Sequence, residues 1–201
     1  MAKWAASYYG SNVIMGFNEP DRVEGSNMAV DEAISLWPQL QNAATNGIRL
    51  GSPSVGGDAA SGTWLPDFMS KAQQHNLRVD FICDHWYGAN VTNPETAAED
   101  LRQYLQRVYD KYGKPIWLTE FALINFANYN QATGTYTTVY STWENQARFA
   151  TLAIAKLKAL PFVERYAWYS LPAPSSAATN NLASGGRTYT LTPVGQSLRD
   201  A

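Results

Sequence analysis

The chain has 201 residues, 45% of them hydrophobic and only 16% charged, with a formal net charge of −2 at neutral pH. That length suits one domain with a substantial core. So weak a charge balance leaves no electrostatic footprint for nucleic acid or an anionic membrane surface. The single cysteine, Cys83, excludes an internal disulfide framework and reads as a buried strand residue. No apolar run reaches the roughly 18 residues of a membrane-spanning helix. The opening Met1-Ala2-Lys3 has no leader-like pattern, as in an ordinary start or in a secreted protein without its leader. Aromatic residues make up 13%, including seven Trp and twelve Tyr, which serve equally as core and as flat surfaces for sugar rings.

In chain order, strands alternate with helices. Val13-Ile14-Met15-Gly16-Phe17 is a short apolar run that ends in Asn18 and Glu19 and is stopped by Pro20, as a buried strand ends when its tip carries polar groups. Helical spacing follows from Ser26 to about Asn46, with Pro38 predicting a kink or restart and Gly47 a stop. Ile48 to Pro53 reads as a second strand, Trp64 to Asn76 as a helix, and Val79 to Tyr87 as a third strand. Asn93-Pro94-Glu95 opens a long helix to Tyr112, with Leu101, Tyr104, Leu105 and Val108 on its apolar face. The fourth strand is Ile116 to Ala122, carrying Glu120 near its end. The stretch from Ile124 to Ser141 reads as a polar, aromatic loop, longer than a neutral connection needs. A helix capped by Thr142 runs to about Leu160, a fifth strand covers Val163 to Ser170, and a terminal helix begins at Thr192-Pro193.

Strict alternation of strand and helix predicts an α/β fold of parallel units with right-handed crossovers. In such sheets the site lies beyond the carboxyl ends of the strands, so Asn18, Glu19, Ser52, His85, Tyr87, Glu120 and Trp168 converge there. Strand parity puts His85 and Tyr87 on one face and Trp86 on the other, so Trp86 and Trp117 are expected to pack under helices while Trp168 lines the cleft. There is no Cys/His spacing for zinc, no nucleotide-binding glycine loop and no Gly-x-Ser-x-Gly elbow. No cofactor and no metal is implied. Two carboxylates, a neutral polar cluster and aromatic surfaces remain. A capping or salt-bridging role is the commonest use of a lone strand-end glutamate, whereas a pair suits acetal hydrolysis, with one carboxyl as acid and one meeting the oxocarbenium-like carbon.

These residues carry a family resemblance. Gly16-Phe17-Asn18-Glu19-Pro20-Asp21, Leu50-Gly51-Ser52-Pro53, His85-Trp86-Tyr87-Gly88, Trp117-Leu118-Thr119-Glu120-Phe121-Ala122 and Val163-Glu164-Arg165-Tyr166-Ala167-Trp168 resemble glycoside hydrolase family 128 along the whole chain. That family consists of retaining endo-β-1,3-glucanases on a (β/α)8 barrel. The resemblance implies that Glu19 is the acid/base, Glu120 the nucleophile and Asn18 a ligand of the sugar 2-hydroxyl. It further implies that His85 and Tyr87 belong to the strand-six motif beside the nucleophile, and that Trp168 is the aromatic under the sugar. The implied partner is a β-1,3-glucan polysaccharide or oligosaccharide, with neither nucleic acid nor membrane, and the implied location is extracellular.

Within that pattern Glu19 belongs on barrel strand four, and residues 1–12 are too few for three preceding units of roughly 30 residues each. The expectation is one catalytic domain over 1–201 built as a partial barrel, family strands four to eight. Such a sheet has open edges, so either self-association or cover from residues 1–12 is expected. Three function classes stay open: a β-1,3-glucan hydrolase, a non-catalytic β-glucan-binding module, and a barrel fragment without turnover.

Overall fold

The computed structural model describes residues 11–130, 133, 135–171, 178–185 and 189–201, with the side chains of 127–130 and 135–136 left out. The cover expected from residues 1–12 therefore falls almost wholly outside the described residues. The described strands are β1 (Val13–Ile14), β2 (Arg49–Leu50), β3 (Ile82–Tyr87), β4 (Ile116–Ala122), β5 (Ile124–Asn130), β6 (Thr135–Tyr140), β7 (Val163–Trp168), β8 (Ala183–Ser184) and β9 (Thr190–Leu191). The helices are α1 (Val30–Ala43), α2 (Trp64–Gln74), α3 (Pro94–Tyr112), α4 (Trp143–Lys158) and α5 (Pro193–Asp200). This is the expected alternation of strands and helices, and among the described residues the sheets do not close into a barrel. None of the described helices is long and apolar enough to cross a membrane.

The chain forms two compact units. The first takes residues up to His85 together with Arg107–Thr119; the second takes Trp86–Gln106 and Glu120–Ala201. In the first unit β1 and β2 pair in parallel, Val13 opposite Arg49 and Ile14 opposite Leu50. Parallel bridges join Gly51 to Phe81 and Asn18 to Ser54. The core is aromatic: Trp37 is fully buried, meets Phe68 edge to face at 4.8 Å, and donates its Nε1 to the carbonyl of Arg78. Each such side chain contributes about 1.5–3 kcal/mol by leaving water.

Helix α1 passes through Pro38 as one element, without the restart its sequence predicts. Pro38 is exposed, so the carbonyl that loses its amide partner lies where water can replace it, while neighbouring Trp37 anchors the turn. Trp117 lies on Phe81, with ring centroids 4.4 Å apart, and the Arg49 guanidinium stands over both rings.

In the second unit Phe121, Phe149 and Trp168 form an aromatic cluster, and Trp86 stacks on Phe149 of α4 at 5.6 Å as parity predicts. Thr142 caps α4 by accepting from the amide of Asn145, and Thr192 caps α5 by accepting from Gly195. The stretch read as a loop is a hairpin: β5 pairs antiparallel with β6, Ile124 opposite Tyr140, and the register shifts between Asn125 and Asn128. Its base is held down where the Asn125 amide donates to Ala89 and the Ser141 hydroxyl to Val91.

Candidate active site

In the first unit the segment after β1 is tied down atom by atom. The amide of Glu19 donates to Ser54 at 2.7 Å, and its carbonyl accepts from the amide of Arg22. Asp21 accepts from the amides of both Gly56 and Gly57, while Arg22 donates to the carbonyl of Gly56. Glu19 itself sits at φ 42°, in the left-handed region that glycine favours. For a non-glycine residue this costs about 1–3 kcal/mol and persists only where surroundings impose it. Gly25 is part of that surrounding: a Cβ there would lie 2.2 Å from the Glu19 carbonyl oxygen.

This turn delivers the Glu19 carboxyl to His85, whose Nδ1 is 3.0 Å from Oε1. The His85 side chain is 3% exposed and that of Glu19 24%. The hydrogen bond with His85 holds the Glu19 carboxyl below its ordinary value of 4.5, aided by the charges of His85 and Arg22 and opposed by burial. Asn18 is exposed, and its carbonyl accepts from the Ser26 hydroxyl.

Ser52 does not join this group. It is fully buried, its hydroxyl accepting from the amide of Cys83 at 2.9 Å and donating to the carbonyl of Pro53. Expected as a sugar ligand, it is a strut between β2 and β3. The residue that faces Glu19 from the same stretch is Ser54, through its backbone.

In the second unit the Tyr87 hydroxyl donates to Oε2 of Glu120. The Tyr87 ring is met edge-on by Phe126 at 4.8 Å and by Tyr169 at 5.7 Å. The sequence grouped His85 with Tyr87 as donors beside Glu120. In the structure the Nδ1 bond of His85 goes to Glu19, and Tyr87 serves Glu120.

Trp168 is a second correction. It is 8% exposed, packs on Phe121 and on Phe149 of α4, and donates its Nε1 to the carbonyl of Asn180. Its ring belongs to the helix-side layer, and the aromatic that accompanies Tyr87 is the next residue, Tyr169. Sequence reasoning missed both Tyr169 and Phe126. In Trp168-Tyr169-Ser170 adjacent aromatics compete for one face at a strand end, and Phe126 lay in a stretch read as loop.

Against known proteins, the model of the family described as glycosyl hydrolase catalytic core matches residues 2–197. A solved structure of a GH128 subgroup I endo-β-1,3-glucanase from Amycolatopsis mediterranei, in complex with laminarihexaose, superposes with a TM-score of 0.83 at 38% identity, over 98% of this chain and 75% of that one. A GH128 subgroup VII oligosaccharide-binding protein from Cryptococcus neoformans gives a TM-score of 0.68 at 28% identity, over 93% of this chain and 66% of that one. Alkali-sensitive linkage protein 1 of Schizosaccharomyces pombe is 30% identical over 181 residues, 87% of this chain and 30% of its own length. The chain thus spans under a third of that relative. It belongs to the glycosyl hydrolase catalytic core family and, within it, to the GH128 glycoside hydrolases.

Proposed function

We propose that the chain hydrolyses β-1,3-glucosidic bonds of a β-glucan by a retaining double displacement. The observation that carries the reading is that two strand-end glutamates each have their own donor, His85 for Glu19 and Tyr87 for Glu120. The likeness to glucanases solved with laminari-oligosaccharides supplies the substrate class. In the first step Glu19 gives its proton to the leaving oxygen while Glu120 attacks the anomeric carbon, forming a glycosyl ester. Glu19 then deprotonates a water that attacks the same carbon, and Glu120 leaves. The His85 hydrogen bond favours ionised Glu19, which suits the second step and works against the first. Asn18 offers its amide to a sugar hydroxyl, and Tyr169 takes the aromatic role expected of Trp168. A glucan polymer does not cross membranes, so this reading places the chain outside the cell.

Reducing-sugar release from a linear β-1,3-glucan tests the proposal, and its absence at acidic and neutral pH overturns it. The oligosaccharide-binding relative favours a second reading, a binding module without turnover. Glucan retention with no released sugar supports that one.

A further inference from the structure

We propose that Phe126, carried by the β5–β6 hairpin, is a positioning residue that holds the Tyr87 hydroxyl on Glu120. The role rests on the functional reading above; the contacts do not. Tyr87 is fixed first through its backbone neighbours. Trp86 stacks on Phe149, and the Gly88 amide donates to Ala122. Gly88 leaves no room for adjustment, since a Cβ there would lie 2.8 Å from both Leu123 and the Trp86 ring.

What the backbone does not fix is the swing of the phenol ring about its own side-chain bonds. Two rings set it. Phe126 and Tyr169 meet Tyr87 edge to face at interplanar angles of 90° and 89°, the arrangement in which a ring edge is drawn to a neighbouring face. Tyr169 comes from the end of β7, whose amide is itself bonded to Phe121 beside Glu120. Phe126 comes from outside the strand–helix repeat, on a hairpin anchored through Asn125 to Ala89. The hairpin is thus placed to support the group that supports the nucleophile. With the phenol held, Glu120 keeps a donor that orients its carboxylate.

The test is a double-mutant cycle of Phe126→Leu and Tyr87→Phe, with Phe126→Ala as a second variant at that position. Phe126→Leu keeps apolar bulk, so folding is retained while the edge contact is lost. Expected is a fall in kcat of about tenfold, the scale of one lost positioning contact, with KM changed less than about twofold. In the Tyr87→Phe background the same change should have no further effect. Equal factors in both backgrounds, or a change confined to KM, overturn the proposal and make Phe126 a sugar contact or a core residue. A readout without turnover is the phenolic proton of Tyr87 in NMR, assigned by its loss in Tyr87→Phe. It should exchange slowly in the parent and be lost in both Phe126 variants. If the parent hydrolyses no glucan but that proton depends on Phe126, the clamp stands and the hydrolase reading falls. If the proton persists in the variants, the clamp falls whatever the activity.

Discussion

Nδ1 of His85 lies 3.0 Å from Oε1 of Glu19, and this contact is the largest cause lowering the pKa of that carboxyl. A carboxyl so lowered is ionised over more of the pH range than a free one, although the proposed first step needs its proton. In the proposed mechanism the pairing therefore bears on the pH at which the first step can run.

His85→Ala removes the largest lowering cause and keeps the burial that raises the pKa of Glu19. The pKa rises, so Glu19 stays protonated to higher pH and the alkaline limb of kcat/KM moves upward. A pH–rate profile on a soluble laminari-oligosaccharide measures this, and an unmoved limb removes Glu19 from the acid role. Stability follows the same sign. In the parent, Glu19 contributes above its ordinary 4.5 and that contribution is lost as pH falls through the lowered native value. Acid unfolding of His85→Ala should show a smaller loss over that window.

Glu120→Gln should lower kcat by roughly 10³-fold or more, because a neutral amide forms no glycosyl ester. Glucan binding by calorimetry should survive. With the parent enzyme, NMR during turnover should show the β-anomer as first product, since double displacement retains configuration and needs carboxyls about 5–5.5 Å apart. An α-anomer would transfer Glu120 to general-base duty on a water.

Tyr169 and Trp168 separate cleanly. Tyr169→Ala should weaken glucan binding by about 1–3 kcal/mol, the worth of one large apolar face. Trp168→Ala should instead destabilise folding by about 3–5 kcal/mol, as expected for emptying a packed aromatic site. Urea unfolding and calorimetry on both variants decide it, and the reverse pattern would restore Trp168 to the sugar.

Ser52→Ala should cost about 1–3 kcal/mol of stability, because the buried amide of Cys83 loses its acceptor. KM for glucan should stay as it is. A raised KM with unchanged unfolding would return Ser52 to the substrate.

The alternation of strand and helix was legible in the chain because it rests on near neighbours. Apolar spacing placed α3 within a residue of its ends, and Thr142 and Thr192 cap the helices they precede. Glu19 and Glu120 stood out because a charged group at the tip of an apolar run needs a partner, water or a role. Their partners were another matter. Which donor reaches which carboxylate depends on residues 66 apart for Glu19 and His85 and 33 apart for Tyr87 and Glu120. A period-two pattern assigns a face, but not how far along the strand a side chain reaches or what fills the space beyond it. Ser52 shows this, since its hydroxyl was needed by Cys83 across a strand pair. Trp168 and Tyr169 show it too, since the indole fitted between Phe121 and Phe149 and left the cleft side to its neighbour. The hairpin stayed hidden because its stretch is rich in Asn, Thr and Tyr and carries no continuous apolar run. The Thr-Tyr-Thr-Thr-Val-Tyr run of β6 favours a strand, but only its pairing with β5 fixes it as one.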